Sequence, residues 1–327
     1  MVTPMKRSVP FVWVDVFAEA PFGGNPLAVL DGSGIPEDAH LPLARELSLS
    51  ETTFYLPPTQ PEIADLRVRI FTQAKEIPFS GHPLLGTAVA VLLNGRLRFA
   101  APKTTVRLET GMGIVPVTVT GSEHPERAQF SHDRISVPGS PISDERLAWL
   151  SPALGLPMDR FRTQLSASAS SASDDRVLFP QVVSGGARQL IVPIQTVEEI
   201  DEINASYRDV VVAEKTLGAE LGILSFAFRA PPRSDAAVQV RARFFAYDAP
   251  NEDPATGSAA ASLAVYLHHH KLLQAGQALE IDQGPPRGPI EGAPGRRSLL
   301  RAFCDGTTVQ VEGRVREVLQ GEMRLQF

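Results

Sequence analysis

The 327-residue sequence contains a single cysteine, Cys304. A lone cysteine excludes an intrachain disulfide, a multi-cysteine metal site and any mechanism in which two thiols face each other across a substrate. Cys304 follows an apolar segment, 299–303, and isolated cysteines in such segments are commonly small buried side chains. We therefore expect Cys304 to be buried and assign it no catalytic role.

The sequence also lacks long apolar runs and concentrated positive charge. A membrane-spanning helix needs about 18 or more consecutive apolar residues, and none is present, nor does the N-terminus carry an apolar leader. The net charge is −6, and the Lys and Arg residues are scattered, whereas nucleic-acid binding requires a basic stripe or patch. We expect a cytoplasmic protein with neither a membrane nor a nucleic acid as partner.

Several chemical signatures are missing as well. The G-x-S-x-G elbow of hydrolases, the G-x-G-x-x-G dinucleotide motif and the P-loop do not occur. The one histidine run, 268–270, cannot place all three side chains on one ion, because adjacent helical residues point in different directions. We predict a solvated helix end there, and we expect no metal and no cofactor.

The chain is longer than one typical domain of about 100 to 200 residues, which favours two domains. We place them at 1–125 and 126–327, with a last strand that returns to the first domain. Period-two alternation predicts strands at Leu66–Phe71, Val115–Val119 and Val309–Val315. The polar tract Ser166–Asp175 has no periodicity and is interpreted as a surface loop.

One pattern occurs twice in the chain. The triplet R-I-F at 69–71 precedes H-P-L-L-G-T-A at 82–88, and R-F-F at 243–245 precedes D-P-A-T-G-S-A at 253–259. Both copies indicate a strand, a loop and an apolar helix. The repetition predicts two domains of the same fold.

Each motif predicts a helix start, with His82 or Asp253 as N-cap and the following proline as first helical residue. Backbone N–H groups in a first helical turn lack intrahelical partners and can bind an anion. If a pseudo-two-fold axis relates the domains, the two motifs could hold a small carboxylate between them. The alternative is that both motifs are only helix caps.

Glu51 is the strongest candidate for a catalytic base. It lies in S-E-T-T-F, 50–54, at a predicted helix-to-strand junction, among small polar residues and outside any charge run. A glutamate carboxyl has an ordinary pKa of about 4.3, so it must be partly desolvated to take a proton from carbon at neutral pH. His82 and Asp253 could then bind polar substrate groups or stabilise developing negative charge.

Four blocks of the sequence together resemble the PhzF family: VDVFAEAPFGGNPLAVL, SETTF, RIFTQAKEIPFSGHPLLGTA and RFFAYDAPNEDPATGSAAASLAVYL. They occur in the order typical of the family over about 250 residues, whereas one block alone would be weak evidence for the family. The resemblance implies an α/β (α+β) fold of the diaminopimelate epimerase type. In that fold, two similar domains with pseudo-two-fold symmetry each form a β-barrel around a central helix.

The resemblance also implies a function and a site. It implies a cofactor-independent isomerase of the trans-2,3-dihydro-3-hydroxyanthranilate type, and a homodimer. The implied site comprises Glu51 as acid and base, His82 and Asp253 as catalytic partners, and Ser50, Gly81, Gly257 and Ser258 as substrate contacts. Epimerases of the wider superfamily use two cysteines at the two helix starts, and this chain has none there.

Two alternatives stay open at this stage. An amino-acid epimerase could use Glu51 as one base and His82 or Asp253 as the other. A noncatalytic small-molecule-binding protein could retain the fold without the reaction. Segments 73–75, 184–188 and 247–251 are where substrate selectivity would differ, and they do not identify the substrate.

Overall fold

The computed structural model describes residues 6–137, 139–165, 176–246, 252–288 and 295–326. The predicted loop Ser166–Asp175 and the selectivity segment 247–251 lie outside these ranges. Within the described residues, no helix combines the length and the apolar character needed to cross a membrane.

The chain divides into two compact units, Met1–Phe130 with Glu312–Phe327, and Ser131–Val311. The elements up to residue 132 are β1 Lys6–Val16, β2 Asn25–Asp31, α1 His40–Leu47, β3 Glu51–Leu56, β4 Leu66–Thr72, β5 Glu76–Ile77, α2 Gly81–Leu93, β6 Lys103–Thr110, β7 Gly113–Thr120 and β8 Arg127–His132.

The remaining elements are β9 Ile135–Ser136, α3 Asp144–Leu147, α4 Leu150–Leu154, β10 Thr163–Leu165, β11 Arg176–Leu178, β12 Gln181–Gly185, β13 Arg188–Pro193, α5 Val197–Glu202, α6 Tyr207–Leu217, β14 Ile223–Phe228, β15 Val238–Phe245, α7 Gly257–His269, β16 Leu279–Gln283, β17 Ser298–Cys304 and β18 Val309–Gln326. Short 3₁₀ turns occur at Gly32–Gly34, Glu37–Ala39 and Met158–Arg160.

In the first unit, a closed ring of strands surrounds α2. Strand order is β1-β2-β3-β4-β6-β7-β8, and β18 pairs with β1 along Val315–Gln326. The ring closes where the Val315 N–H donates to the Glu126 carbonyl just before β8. Every residue of α2 from Gly81 to Leu92 is buried, and a helix that is apolar all round must be enclosed in this way.

In the second unit, a curved sheet packs around α7. Strand order is β17-β16-β15-β14-β13-β12-β9. Helix α7 contacts β17 at one end of this row and both β12 and β9 at the other, so the sheet wraps around the helix. Helices α4, α5 and α6 cover a separate apolar cluster that includes Leu150, Ile200 and Val210.

The two units repeat one topology. The pairs β1–β2, β2–β3, β3–β4, β4–β6 and β6–β7 run antiparallel, parallel, antiparallel, parallel and antiparallel. The pairs β12–β13, β13–β14, β14–β15, β15–β16 and β16–β17 follow the same sequence. The central helix follows the fourth strand in each unit, which confirms the predicted duplication of the fold.

The repeated strand triplet carries a repeated ion pair. Arg69 of β4 lies 2.7 Å from Glu76, and Arg243 of β15 lies 2.6 Å from Glu252. Each guanidinium also lies over the phenylalanine two residues further along its strand, 5.1 Å and 5.2 Å from the ring centroid. Each ion pair therefore ties a strand to the segment that leads to a motif helix.

Both predicted N-caps are wrong. Helix α2 begins at Gly81 with Ser80 as N-cap, so His82 and Pro83 are its second and third residues. Proline is tolerated there because the N–H groups of a first turn have no intrahelical partner. Helix α7 begins later, at Gly257 with Thr256 as N-cap, because Asp253 is still extended and forms a β-bridge with Phe244.

We expect Gly86→Ala to destabilise the first unit by ~1–3 kcal/mol despite the better helix propensity of alanine. A Cβ at Gly86 would lie 2.5 Å from Leu27 Cδ2 and 2.9 Å from Val16 Cγ2, both fully buried. Urea unfolding measures the effect. Gly34→Ala is the control, because its Cβ would meet only Val9 at 3.7 Å. Equal stabilities of the two variants would contradict the tight packing.

Candidate active site

Glu51 is the first residue of β3, where its backbone pairs with Thr72 of β4. The predicted helix-to-strand junction therefore ends just before Glu51, and the strand begins at the glutamate itself. Helix α1 ends before it with Ser48 in the left-handed conformation, which turns the chain into the strand. The side chain of Glu51 is 15% exposed, so its carboxylate is largely removed from water.

His82 lies beside this carboxylate. Its Nε2 is 3.7 Å from Glu51 Oε2, beyond hydrogen-bond distance, and has no hydrogen-bond partner among the described residues. Burial lowers the pKa of His82 to about 3, so the imidazole is neutral at pH 7. The contact is accordingly not an ion pair, and a buried polar nitrogen remains available next to the carboxylate.

Ser80 completes this cluster, and the sequence did not predict it. Its hydroxyl donates to Glu51 Oε1 at 3.2 Å, and it makes no side-chain cap for α2. Ser50 instead donates to the buried Asn25 Oδ1 at 3.3 Å, and Gly81 is buried as the first residue of α2. The only sequence signal for Ser80 is its position directly before the Gly-His-Pro motif.

A second polar cluster precedes α7. The Asp253 carboxylate accepts hydrogen bonds from Thr256 Oγ1 at 2.5 Å and from the Ala255 N–H at 3.4 Å. Gln283 donates to the carbonyl of Asp253 and to Thr256 Oγ1, at 3.1 Å and 2.9 Å. Asp253 is thus held by its own loop and by the end of β16.

Ser258, the second residue of α7, accepts a hydrogen bond from the buried amide of Gln189 at 2.9 Å. Gly257 begins the helix and is buried. Sequence reasoning missed Thr256, Gln189 and Gln283. The two glutamines do leave a signal. Gln283 continues the inward-facing positions of Leu279 and Ile281 at the end of β16, and Gln189 directly precedes the apolar run 190–193 of β13.

The predicted residues therefore fall into two groups. Ser50, Glu51, Gly81 and His82 belong to the first unit, where Glu51, Ser80 and His82 are neighbours. Asp253, Gly257 and Ser258 belong to the second unit. The catalytic and binding roles assigned to these residues stay predictions.

A surface cleft of about 520 Å³ in the first unit contains none of these residues. It is lined by groups of both charges, and Arg314 lies 3.3 Å from Glu126. Its charges are therefore partly paired with one another, and it contributes no residue to the predicted site.

The prediction for the histidine run is wrong for two of its members. His268 Nδ1 lies 3.0 Å from the Leu273 carbonyl, His270 Nε2 lies 2.6 Å from Gln181, and only His269 is exposed. Burial lowers the pKa of His270 to about 4. No group of three or more metal-ligating side chains is found in the described part of the chain.

The prediction for Cys304 is confirmed: it is buried, and burial raises the pKa of its thiol. A buried thiol with a raised pKa is protonated at neutral pH and is a weak nucleophile. Glu51, His82 and Asp253 therefore stay the predicted reactive groups.

The chain is similar to known proteins along most of its length. A family profile described as phenazine biosynthesis-like protein (PhzC-PhzF) matches residues 14–314. The trans-2,3-dihydro-3-hydroxyanthranilate isomerase of Pseudomonas aeruginosa is 33% identical over 316 residues, which cover 93% of this chain and 98% of the relative.

Solved structures give the same fold. A predicted epimerase from Pseudomonas aeruginosa has a TM-score of 0.73 at 28% identity, covering 96% of this chain and 98% of that one. A hydroxyproline epimerase from Agrobacterium vitis has a TM-score of 0.63 at 14% identity, covering 98% and 93%, and shows the fold alone. The fold predicted from the sequence is confirmed.

Replacing His82 by glutamine should weaken the loss of stability on acidification. The pKa of His82 is about 3 in the folded protein, against an ordinary histidine value of 6.5. Between these pH values the unfolded chain therefore binds a proton at His82 and the folded chain does not. Below pH 6.5, His82 therefore lowers the free energy of unfolding by up to ~1.4 kcal/mol for each pH unit of acidification. Above pH 6.5, His82 has no effect on the free energy of unfolding.

Urea unfolding of wild type and His82→Gln between pH 7.5 and 4.5 measures the difference in slope. The exposed His124→Gln serves as the control and should behave as the wild type. Equal slopes for wild type and His82→Gln would mean that the folded protein protonates His82 readily, against the burial argument.

Proposed function

The chain belongs to the phenazine biosynthesis-like (PhzC-PhzF) family, and we propose that it moves a carbon-bound proton on a small carboxylate-bearing substrate, with Glu51 as acid and base. Its curated relatives include named isomerases at 33% and 31% identity over more than nine-tenths of the chain, so the protein is an isomerase. These names favour an enzyme over a noncatalytic binding protein.

The observation that carries the proposal is the environment of Glu51. One carboxylate oxygen accepts a hydrogen bond from Ser80, and the other faces the neutral, buried His82 without being hydrogen-bonded to it. A largely desolvated carboxylate is a stronger base than one in water. Glu51 is therefore suited to accept a proton from carbon.

The proposed reaction has two proton transfers. Glu51 takes a proton from one ring carbon, and the electrons of the broken C–H bond form a new double bond as the conjugated system shifts. The resulting carboxylic acid then returns the proton to another carbon on the same face. No electron is gained or lost overall, so the step balances without an oxidant or reductant.

The other groups support this transfer in the proposal. Neutral His82 can donate or accept a hydrogen bond at a substrate oxygen, and Asp253 provides a second polar contact. The N–H groups near Gly81 and Gly257, and the hydroxyls of Ser50 and Ser258, would contact the remaining polar atoms. The proposed substrate type is that named for the relative, trans-2,3-dihydro-3-hydroxyanthranilate.

Geometry weighs against one form of the epimerase alternative. Two bases that invert a carbon centre must approach it from opposite faces. Glu51 Oε2 and His82 Nε2 are 3.7 Å apart, so both would reach the same face of a substrate. An epimerase that pairs Glu51 with Asp253 remains the second candidate, and the solved relative described as a predicted epimerase favours keeping it.

We expect Glu51→Gln to lower the rate of proton exchange at substrate carbon by about 10²- to 10⁴-fold, because glutamine keeps the shape of the side chain but cannot accept the proton. The wild type and variant are incubated in D₂O with dihydro-3-hydroxyanthranilate and a panel of small cyclic and acyclic amino and hydroxy acids. Deuterium incorporation is followed by NMR.

Glu46→Gln, on the exposed side of α1, is the matched control and should retain exchange. Deuterium at a new ring position without inversion supports the double-bond shift, whereas deuterium at a stereocentre with inversion supports the epimerase. Exchange that persists in Glu51→Gln would rule out Glu51 as the base.

A homodimer and a cytoplasmic location, both expected from the sequence, stay predictions. Light scattering after size-exclusion chromatography should give about twice the 35.3 kDa chain mass. A monomer mass at micromolar concentration would contradict the dimer.

A further inference from the structure

Gln283 is a fully buried polar residue at the end of β16, on the same face as the apolar Leu279 and Ile281. Its backbone is held from both sides, since the buried guanidinium of Arg241 donates to the carbonyls of Asp282 and Gly284, at 3.1 Å and 2.6 Å. A buried amide is costly unless its hydrogen bonds are made, so its partners decide its role.

The orientation of this amide follows from its backbone partners. Gln283 Oε1 lies 3.3 Å from the backbone N of Thr256, whose N–H can only donate. Gln283 Nε2 lies 3.1 Å from the carbonyl oxygen of Asp253, which can only accept. The reverse orientation would place N–H against N–H and oxygen against oxygen, so the amide has one possible arrangement.

This arrangement sets the direction of the next hydrogen bond. Gln283 Nε2 also lies 2.9 Å from Thr256 Oγ1, and an amide nitrogen can only donate. Thr256 Oγ1 therefore accepts from Gln283, and its own proton points elsewhere. The Asp253 carboxylate lies in that direction, with Oδ2 at 2.5 Å from Thr256 Oγ1.

We propose that Gln283 is a positioning residue for the reaction: through Thr256, it holds the Asp253 carboxylate in one orientation for the substrate. The inference rests on the proposed role of Asp253 as an active-site group. The chain of donors runs in one direction, from the Gln283 amide to the Thr256 hydroxyl and from that hydroxyl to Asp253. Neither Gln283 nor Thr256 needs to touch the substrate.

A matched pair of variants at Thr256 tests the relay. Thr256→Val keeps the shape and the backbone N–H but removes the hydroxyl, and we expect kcat to fall by about 10- to 100-fold with a smaller change in KM. Thr256→Ser restores the hydroxyl and should recover kcat to within about threefold of the wild type. Wild-type kcat in Thr256→Val would overturn the proposal.

Gln283→Glu tests the first step of the relay without changing the side-chain shape. The glutamate oxygen that replaces Nε2 would accept the Thr256 proton, so that Thr256 no longer donates to Asp253, and kcat should fall as in Thr256→Val. Gln283→Glu also loses the hydrogen bond to the Asp253 carbonyl, so it is the more severe single variant. The double variant should be no worse than Gln283→Glu alone, because the Thr256-to-Asp253 bond is already lost in it. Losses that multiply would mean independent effects and would overturn the relay.

Gln181→Glu is the control for burying a carboxyl. Gln181 is also a buried glutamine of the second unit. It donates to the Gly139 carbonyl at 2.6 Å and lies 2.6 Å from His270 Nε2, so neither of these hydrogen bonds involves Asp253. Its variant should keep wild-type kcat per folded molecule. A loss equal to that of Gln283→Glu would assign the effect to general destabilisation and overturn the positioning role.

Crystal structures of Thr256→Val and Thr256→Ser separate this inference from the proposed function. The Asp253 carboxylate should rotate or become multiply oriented in the valine variant and keep its wild-type orientation in the serine variant. An unchanged Asp253 in Thr256→Val would overturn the relay whether or not a substrate is known. A wild type inactive on the whole substrate panel would instead count against the proposed function.

Discussion

The structure depends on two helices that have no polar face. Every residue of α2 except the last is buried, and ten of the thirteen residues of α7 are buried. A helix of this kind loses its driving force for folding unless apolar side chains enclose it on every side. The strands of each unit therefore wrap around the helix, and polar chemistry is confined to the segments at its ends.

The two units combine one topology with different chemistry at the start of the helix. In the first unit, His82 lies in the first helical turn and is neutral. Its Nε2 has no hydrogen-bond partner among the described residues. In the second, Asp253 lies four residues before the helix, and Thr256 and the backbone donate to its carboxylate. The duplicated fold thus has a buried neutral imidazole at one helix and a hydrogen-bonded carboxylate before the other.

Local patterns predicted the strands well because the alternation of inward and outward side chains is a property of neighbouring residues. Leu66–Thr72, Gly113–Thr120 and the start of β18 follow the predicted period. The helix starts were predicted less well. The rule that places proline at the first helical position failed in both motifs, because Pro83 is the third residue of α2 and Pro254 lies before α7 begins.

Local sequence patterns could not predict the residues that hydrogen-bond to the candidate site residues. Ser80 and Glu51 are 29 residues apart in sequence, Gln283 and Thr256 are 27 apart, and Gln189 and Ser258 are 69 apart. Such contacts depend on which strands are neighbours and on where each helix begins. A glutamine at an inward-facing strand position signals a buried polar contact but does not identify the partner.

The sequence by itself determined the duplicated α/β frame, the family, and Glu51, His82 and Asp253 as candidates, because these follow from motifs and periodicities within short segments. Only the tertiary structure decided that His82 is neutral, that Ser80 donates to Glu51, and that Gln283 orients Thr256 toward Asp253. Protonation state and hydrogen-bond direction are set by burial and by partners distant in sequence, and packing alone brings those together.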